Sequence, residues 1–191
     1  QSYPGGRFAA TVLARMIPAL LDSGMAGEAA EYAATLSEQF TYAPAAANAL
    51  ALRATALSRA QEWEPAILLY RQLLAEQERD ALTDGEPSAA LLSGLATAAY
   101  ATGDRILAKK FALQYLARTR SGPDAGTLLT MLGIIARGDG QQELANAYFR
   151  QALQVAPETA ASEEIAGILF DSGAYVDALQ QYTMLGRKSQ N

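Results

Sequence analysis

GTLLTMLGIIARGDGQQELANAYFRQALQVAP, residues 126–157, holds two helical apolar periods separated by a glycine turn. Before the turn, Leu129, Leu132 and Gly133 recur at three- and four-residue spacing; after it, Leu144, Ala145, Tyr148, Phe149, Ala152 and Leu153 form one stripe, with Arg150, Gln151 and Gln154 outside it. That spacing predicts an amphipathic helix on each side of Gly140. A glycine at the end of a helix takes the left-handed conformation without a Cβ penalty, which lets a second helix start almost at once. Pro157 closes the stretch.

The same turn recurs along the chain. LLDSGMAGEA (20–29), LSRAQEWEPA (57–66), AYATGDRILA (99–108), ARGDGQQELA (136–145) and LFDSGAYVDA (169–178) align on Gly24, Gln61, Gly103, Gly140 and Gly173. The turn residues lie 37, 42, 37 and 33 residues apart. Five residues beyond each stands an alanine (Ala29, Ala66, Ala108, Ala145, Ala178), small enough for two helices to approach closely. A two-helix unit cannot cover its own apolar stripe, so such units stack on their neighbours.

Composition agrees. The 191 residues include 41 Ala and 26 Leu against 7 Ile and 3 Val, a balance that favours helix over strand. Cysteine and histidine are absent, which removes disulfides, thiolate nucleophiles, imidazole metal ligands and serine–histidine catalysis. A net charge of −5 argues against a general nucleic-acid or anionic-membrane binder. The longest uncharged run, residues 87–103, is too polar to span a membrane. Two motifs that could suggest chemistry dissolve on inspection. Glu163 and Glu164 are adjacent and diverge by about 100° on a helix, so they make no acid–base pair. Gly138-Asp139-Gly140 is an inter-helix turn, without the preceding strand and following Lys of a phosphate loop. The residues therefore predict a protein that is not an enzyme and has no metal or cofactor.

The pattern resembles the tetratricopeptide repeat, in which the first helix carries a large apolar residue, Leu and a small residue, and the second carries Ala, an aromatic, Ala and Pro. Residues 126–159 match it best, through Leu129, Leu132, Gly133, Gly140, Ala145, Phe149, Ala152 and Pro157. Residues 159–191, 89–122, 47–80 and 10–43 follow with departures: Ala112 stands where the third unit should have its aromatic, Arg53 where the second should have Leu, and Pro18 lies inside the first helix of the first. The resemblance implies an all-α fold, a right-handed α-solenoid of antiparallel helix pairs. The expected organisation is a lead-in over 1–9 and a single solenoid over 10–191, belonging to a larger protein because the chain opens Gln-Ser-Tyr-Pro without an initiator Met.

The resemblance also nominates a site, since the family lines a concave groove with its first helices. Carried over by position, the groove residues include Asn48, Thr55, Arg59, Thr97, Tyr100, Thr130, Arg137 and Phe170. Arg59, Tyr100, Arg137 and Phe170 are its large groups, of the types that dominate binding hot spots. The family's clamp for a C-terminal carboxylate needs several Lys and Asn side chains; only Asn48 is present, so that specialisation is not expected. The implied function is a non-catalytic scaffold holding a peptide or helix of another protein, within a larger assembly. The alternatives are a polysaccharide-guiding domain of a bacterial envelope or exopolysaccharide export system, and a self-association module. No nucleic-acid partner is expected. The expected setting is a bacterial periplasm or cell envelope, with the cytoplasm as the alternative. The loop over 79–88 is an exposed insertion that could reach across the groove. Tyr175, Val176, Leu179, Tyr182, Met184 and Leu185 give the last helix more apolar surface than its own partner helix can cover, so the C-terminal helix should meet a partner, another copy or a further repeat.

Overall fold

The computed structural model describes residues 6–80, 87–119, 121–122, 124–156 and 161–188. Most of the expected loop over 79–88, together with Arg120, Pro157 and Ala160, lies outside the described residues. The described residues are helical, apart from turns and a short 3-10 turn at Pro44–Ala46. They form two compact units, residues 1–104 and 105–191.

The first unit contains α1 (Gly6–Asp22), α2 (Ala26–Gln39), α3 (Ala49–Arg59), α4 (Trp63–Asp80) and α5 (Ala89–Ala101). Each helix packs on the next, and α3 also touches both α1 and α5, so the first helices of successive pairs lie side by side. Pro18 sits within α1 on its exposed side. Ser88 caps α5, its hydroxyl oxygen accepting from the Leu91 N–H at 3.2 Å. The second unit contains α6 (Arg105–Arg118), α7 (Ala125–Gly138), α8 (Gln142–Val155), α9 (Ala161–Asp171) and α10 (Tyr175–Lys188), again in a chain of neighbour contacts. Its core joins Leu129, Ala136, Phe149, Ile165, Leu169 and Ala178. Ala112, which replaces the expected aromatic, is fully buried, and α6 supplies bulk through Phe111 and Tyr115 instead. Burial pushes the Tyr115 phenol above its ordinary pKa; the Asp124 backbone N–H bonds its oxygen and opposes the rise, and the Asp124 carboxylate adds to it.

The turns behave as their residues dictate. Gly24, Gly103, Gly140 and Gly173 have φ of +78°, +83°, +75° and +83°. After each, the next N–H reaches back to a carbonyl five residues earlier, as in Gln141 N–H to Ala136 C=O at 2.9 Å. The alanines five residues beyond the turns are all fully buried. Gln61 makes the same turn without glycine, at φ +63°, with the Glu62 N–H bonded to the Leu57 carbonyl at 2.9 Å. A left-handed non-glycine residue costs roughly 1–2 kcal/mol. Glycine gives back part of that in backbone entropy, roughly 0.5–1 kcal/mol. Gln61→Gly is thus expected to stabilise the protein by about 0.5–1 kcal/mol, read as a rise in melting temperature; a fall would show that the side chain contributes more than the strain removes.

Candidate partner-binding surface

Five of the nominated groove residues lie in the first unit. Asn48, Thr55 and Arg59 are spaced by seven and four residues and share one face of α3 and its cap; Thr97 and Tyr100, three apart, lie on α5 beside it. Asn48 is exposed and makes no capping hydrogen bond. The hydroxyls of Thr55 and Thr97 donate to the carbonyls of Ala51 and Ser93, both at 2.9 Å. Their donors are therefore used within the helix, and what they present outward is a methyl and an acceptor oxygen. Arg59 donates to the Leu21 carbonyl at 3.1 Å, placing a cation at the C-terminus of α1, where the helix dipole favours it. Part of its guanidinium thus ties α3 to α1. Tyr100 is half-buried.

The other three lie in the second unit. Thr130 donates to the Gly126 carbonyl at 2.9 Å, and Arg137 is exposed in the last turn of α7, seven residues along the same helix. Phe170 is 55% exposed and meets Tyr175 edge-on across the α9–α10 turn, with ring centroids 5.3 Å apart. Ion pairs add little definition to either unit. Arg53–Glu38 at 2.9 Å, Arg71–Asp104 at 4.0 Å and Arg150–Asp177 at 2.7 Å are all substantially exposed, a setting in which each contributes roughly 0–1 kcal/mol.

The first unit also holds a cavity of which only Thr55 was nominated from sequence. A cavity of about 70 Å³ opens between α3, α4 and α5, lined by Ala51 and Thr55 on α3, Leu73 and Gln77 on α4, and Ser88 and Ala90 at the start of α5. The Gln77 side-chain oxygen is buried without a hydrogen-bond partner. A sequence signal for it exists: Gln77 continues the stripe Ala66, Tyr70, Leu73 at helical spacing, a polar residue in an apolar row. Periodicity alone assigns that place to packing and not to recognition. Among the described residues no group of three or more acidic side chains gathers as metal ligands do, and no helix is long and apolar enough to cross a membrane.

Comparison with solved structures decides the fold. Over 96% of this chain the structure resembles PilF of Pseudomonas aeruginosa, with a TM-score of 0.70 at 21% identity, covering 78% of that protein. It resembles MamA of Desulfovibrio magneticus with a TM-score of 0.68 at 16% identity, over 96% of this chain and 97% of that one. A thermophilic TPR protein of Thermus thermophilus matches with a TM-score of 0.58 at 20% identity, over 92% and 89% of the two chains. All three are tetratricopeptide-repeat proteins. The fold is that of the tetratricopeptide repeat. No family model and no curated protein matches the sequence itself. That contrast has a physical basis: a TPR fold is specified by small and apolar residues at packing positions, which tolerate exchange when volume is conserved. Within this architecture the face carrying Asn48, Thr55 and Arg59 belongs to the first helix of a pair, with Thr97 and Tyr100 on the first helix of the next.

Proposed function

We propose that this chain is a non-catalytic protein-interaction scaffold, and that the face of α3 and α5 in the first unit holds a peptide or helix of a partner protein. The observation that carries this reading is Gln77, which lines the cavity beside Thr55 and whose side-chain oxygen is buried without a partner. A buried acceptor left unpaired costs roughly 1–3 kcal/mol, and a turn of the Gln77 amide towards the cavity would let a donor from a bound chain remove that cost. The neighbouring Ala51 and Ala90 are small enough for a backbone to come close, and the Thr55 oxygen retains lone pairs for a second donor. Asn48, exposed and not engaged in capping, would add an amide at the edge of the same face.

The test is binding to arrays of peptides and glycans, followed by titration of the best ligand against variants. Gln77→Leu is expected to weaken peptide binding about tenfold while leaving the melting temperature unchanged or higher, because it removes an unpaired polar atom. Asn48→Ala should weaken binding at a stability within about 0.5 kcal/mol of the parent, the usual range for surface changes. Peptide binding indifferent to both substitutions would remove this face from the site. Capture of glycans alone would replace the reading by the polysaccharide one.

A further inference from the structure

We propose that the second unit carries a docking surface of its own, a groove between α6 and α8 that takes an acidic amphipathic helix of a partner protein. This is independent of the peptide site on α3 and α5, because every residue that lines the groove belongs to the second unit. The groove has a volume of about 650 Å³. Leu113, Leu116 and Ala117 form its α6 wall, and Tyr148 and Val155 stand on the α8 wall. The buried Leu129 of α7, the helix on which both walls pack, forms its floor. The exposed amides of Gln151 and Gln154 complete the α8 side.

The repeat shows how α6 differs here from the second helices before and after it. Three and ten residues beyond the turn residue, α4 carries Glu64 and Arg71 and α8 carries Glu143 and Arg150, all exposed. At those two places α6 carries Ile106 and Leu113, 87% and 41% exposed. A row that is charged on α4 and α8 is thus apolar on α6, and through Leu113 it runs into the groove. The charges beside that row are all of one sign. Arg105, Lys109, Lys110 and Arg118 are the charged residues of α6, with no carboxylate among them. Lys109 and Lys110 stand four and three residues before Leu113, so they flank it on either side one turn earlier. Lys110 lies over the Phe111 ring, 5.3 Å from its centroid, and neither lysine is in an ion pair among the described residues. On α8 the cation of Arg150 is matched by Asp177 at 2.7 Å, and Gln151 and Gln154 are neutral. The complementary occupant therefore puts an apolar stripe into the groove and carboxylates on the side that faces α6.

A helix suits this groove better than an extended strand for a backbone reason. Both walls are helices that use their N–H and C=O groups internally, so the groove offers no edge to pair with. An extended chain laid there would bury unpaired backbone groups, whereas a helix arrives with its own satisfied. Side chains at three- and four-residue spacing would then enter between Leu113 and Tyr148, as the ridges of packed helices enter grooves.

Fluorescence anisotropy with labelled peptides tests this on the full chain. The probe is an amphipathic helix of about 18 residues, roughly five turns, with Leu along one face and Glu along both flanks. A counterpart carries Lys in place of Glu. The Glu peptide should bind about tenfold more tightly than the Lys peptide, and more weakly as salt rises. Leu113→Glu should weaken that binding about tenfold with helix content unchanged by circular dichroism, because the side chain is exposed. If helix content falls, Ala117→Glu on the same wall replaces it. The decisive arm exchanges the charges: the double variant Lys109→Glu, Lys110→Glu should lose the Glu peptide and gain the Lys peptide. A Glu peptide that does not bind, that binds no better than the Lys peptide or that still binds the Leu113→Glu variant would overturn the proposal, as would a double variant whose preference does not reverse. Preference for phosphatidylglycerol vesicles over the Glu peptide would also overturn it, and would make this a lipid-facing surface.

Discussion

Phe149→Ala is expected to destabilise the protein by roughly 3–5 kcal/mol, the range for truncating a fully buried aromatic. The ring is wholly excluded from solvent and stands at the junction of three helices, within the cluster formed with Leu129 of α7 and Ile165 and Leu169 of α9. Deleting it removes the transfer energy of the ring and leaves a cavity that the small neighbours Ala136, Ala145 and Ala152 cannot fill. Denaturant unfolding of the full chain measures the loss. A change below about 1 kcal/mol would mean that α7, α8 and α9 collapse around the gap, which close-packed helices seldom do.

The second large effect comes from the other side of the same contact. A Cβ built on Gly133 would lie 2.5 Å from Phe149 Cε1 and 2.7 Å from Cδ1, well inside van der Waals contact. The ring is buried and has no free end to swing away, so Gly133→Val is expected to cost about 3 kcal/mol by overpacking. Because the two residues touch, the double variant Gly133→Val, Phe149→Ala should be less destabilised than the sum of the single ones, by a coupling within about 0.5–3 kcal/mol. Full additivity would show that the valine strains something other than the ring. The pair also explains the sequence pattern, in which a glycine in the first helix accompanies an aromatic in the second.

The same pair shows why so much of the fold is legible in the sequence. Leu129, Leu132, Gly133, Ala145, Phe149 and Ala152 are set by helical period and by the volume available where two helices cross, and both constraints act within one short stretch of chain. Gly24, Gly103, Gly140 and Gly173 mark their turns because only glycine enters that conformation without strain. Gln61 was readable only by its place in the series; the neighbouring helices impose its left-handed backbone on a residue that does not prefer it.

The site was less legible. The residues Asn48, Thr55, Arg59, Thr97, Tyr100, Thr130, Arg137 and Phe170 were nominated by position in the repeat, which specifies a helix face but not what each side chain does there. Where Arg59 reaches depends on a carbonyl 38 residues away in another helix pair. Phe170 is engaged by Tyr175 because the turn at Gly173 folds one helix back along the other. By itself the sequence determined the helices, the turns between them and the residues that pack, since these follow from local backbone preference and apolar periodicity. Only the tertiary structure decided that the Gln77 oxygen is left without a donor and that Arg59 spends part of its guanidinium on the Leu21 carbonyl, because both depend on which helices meet.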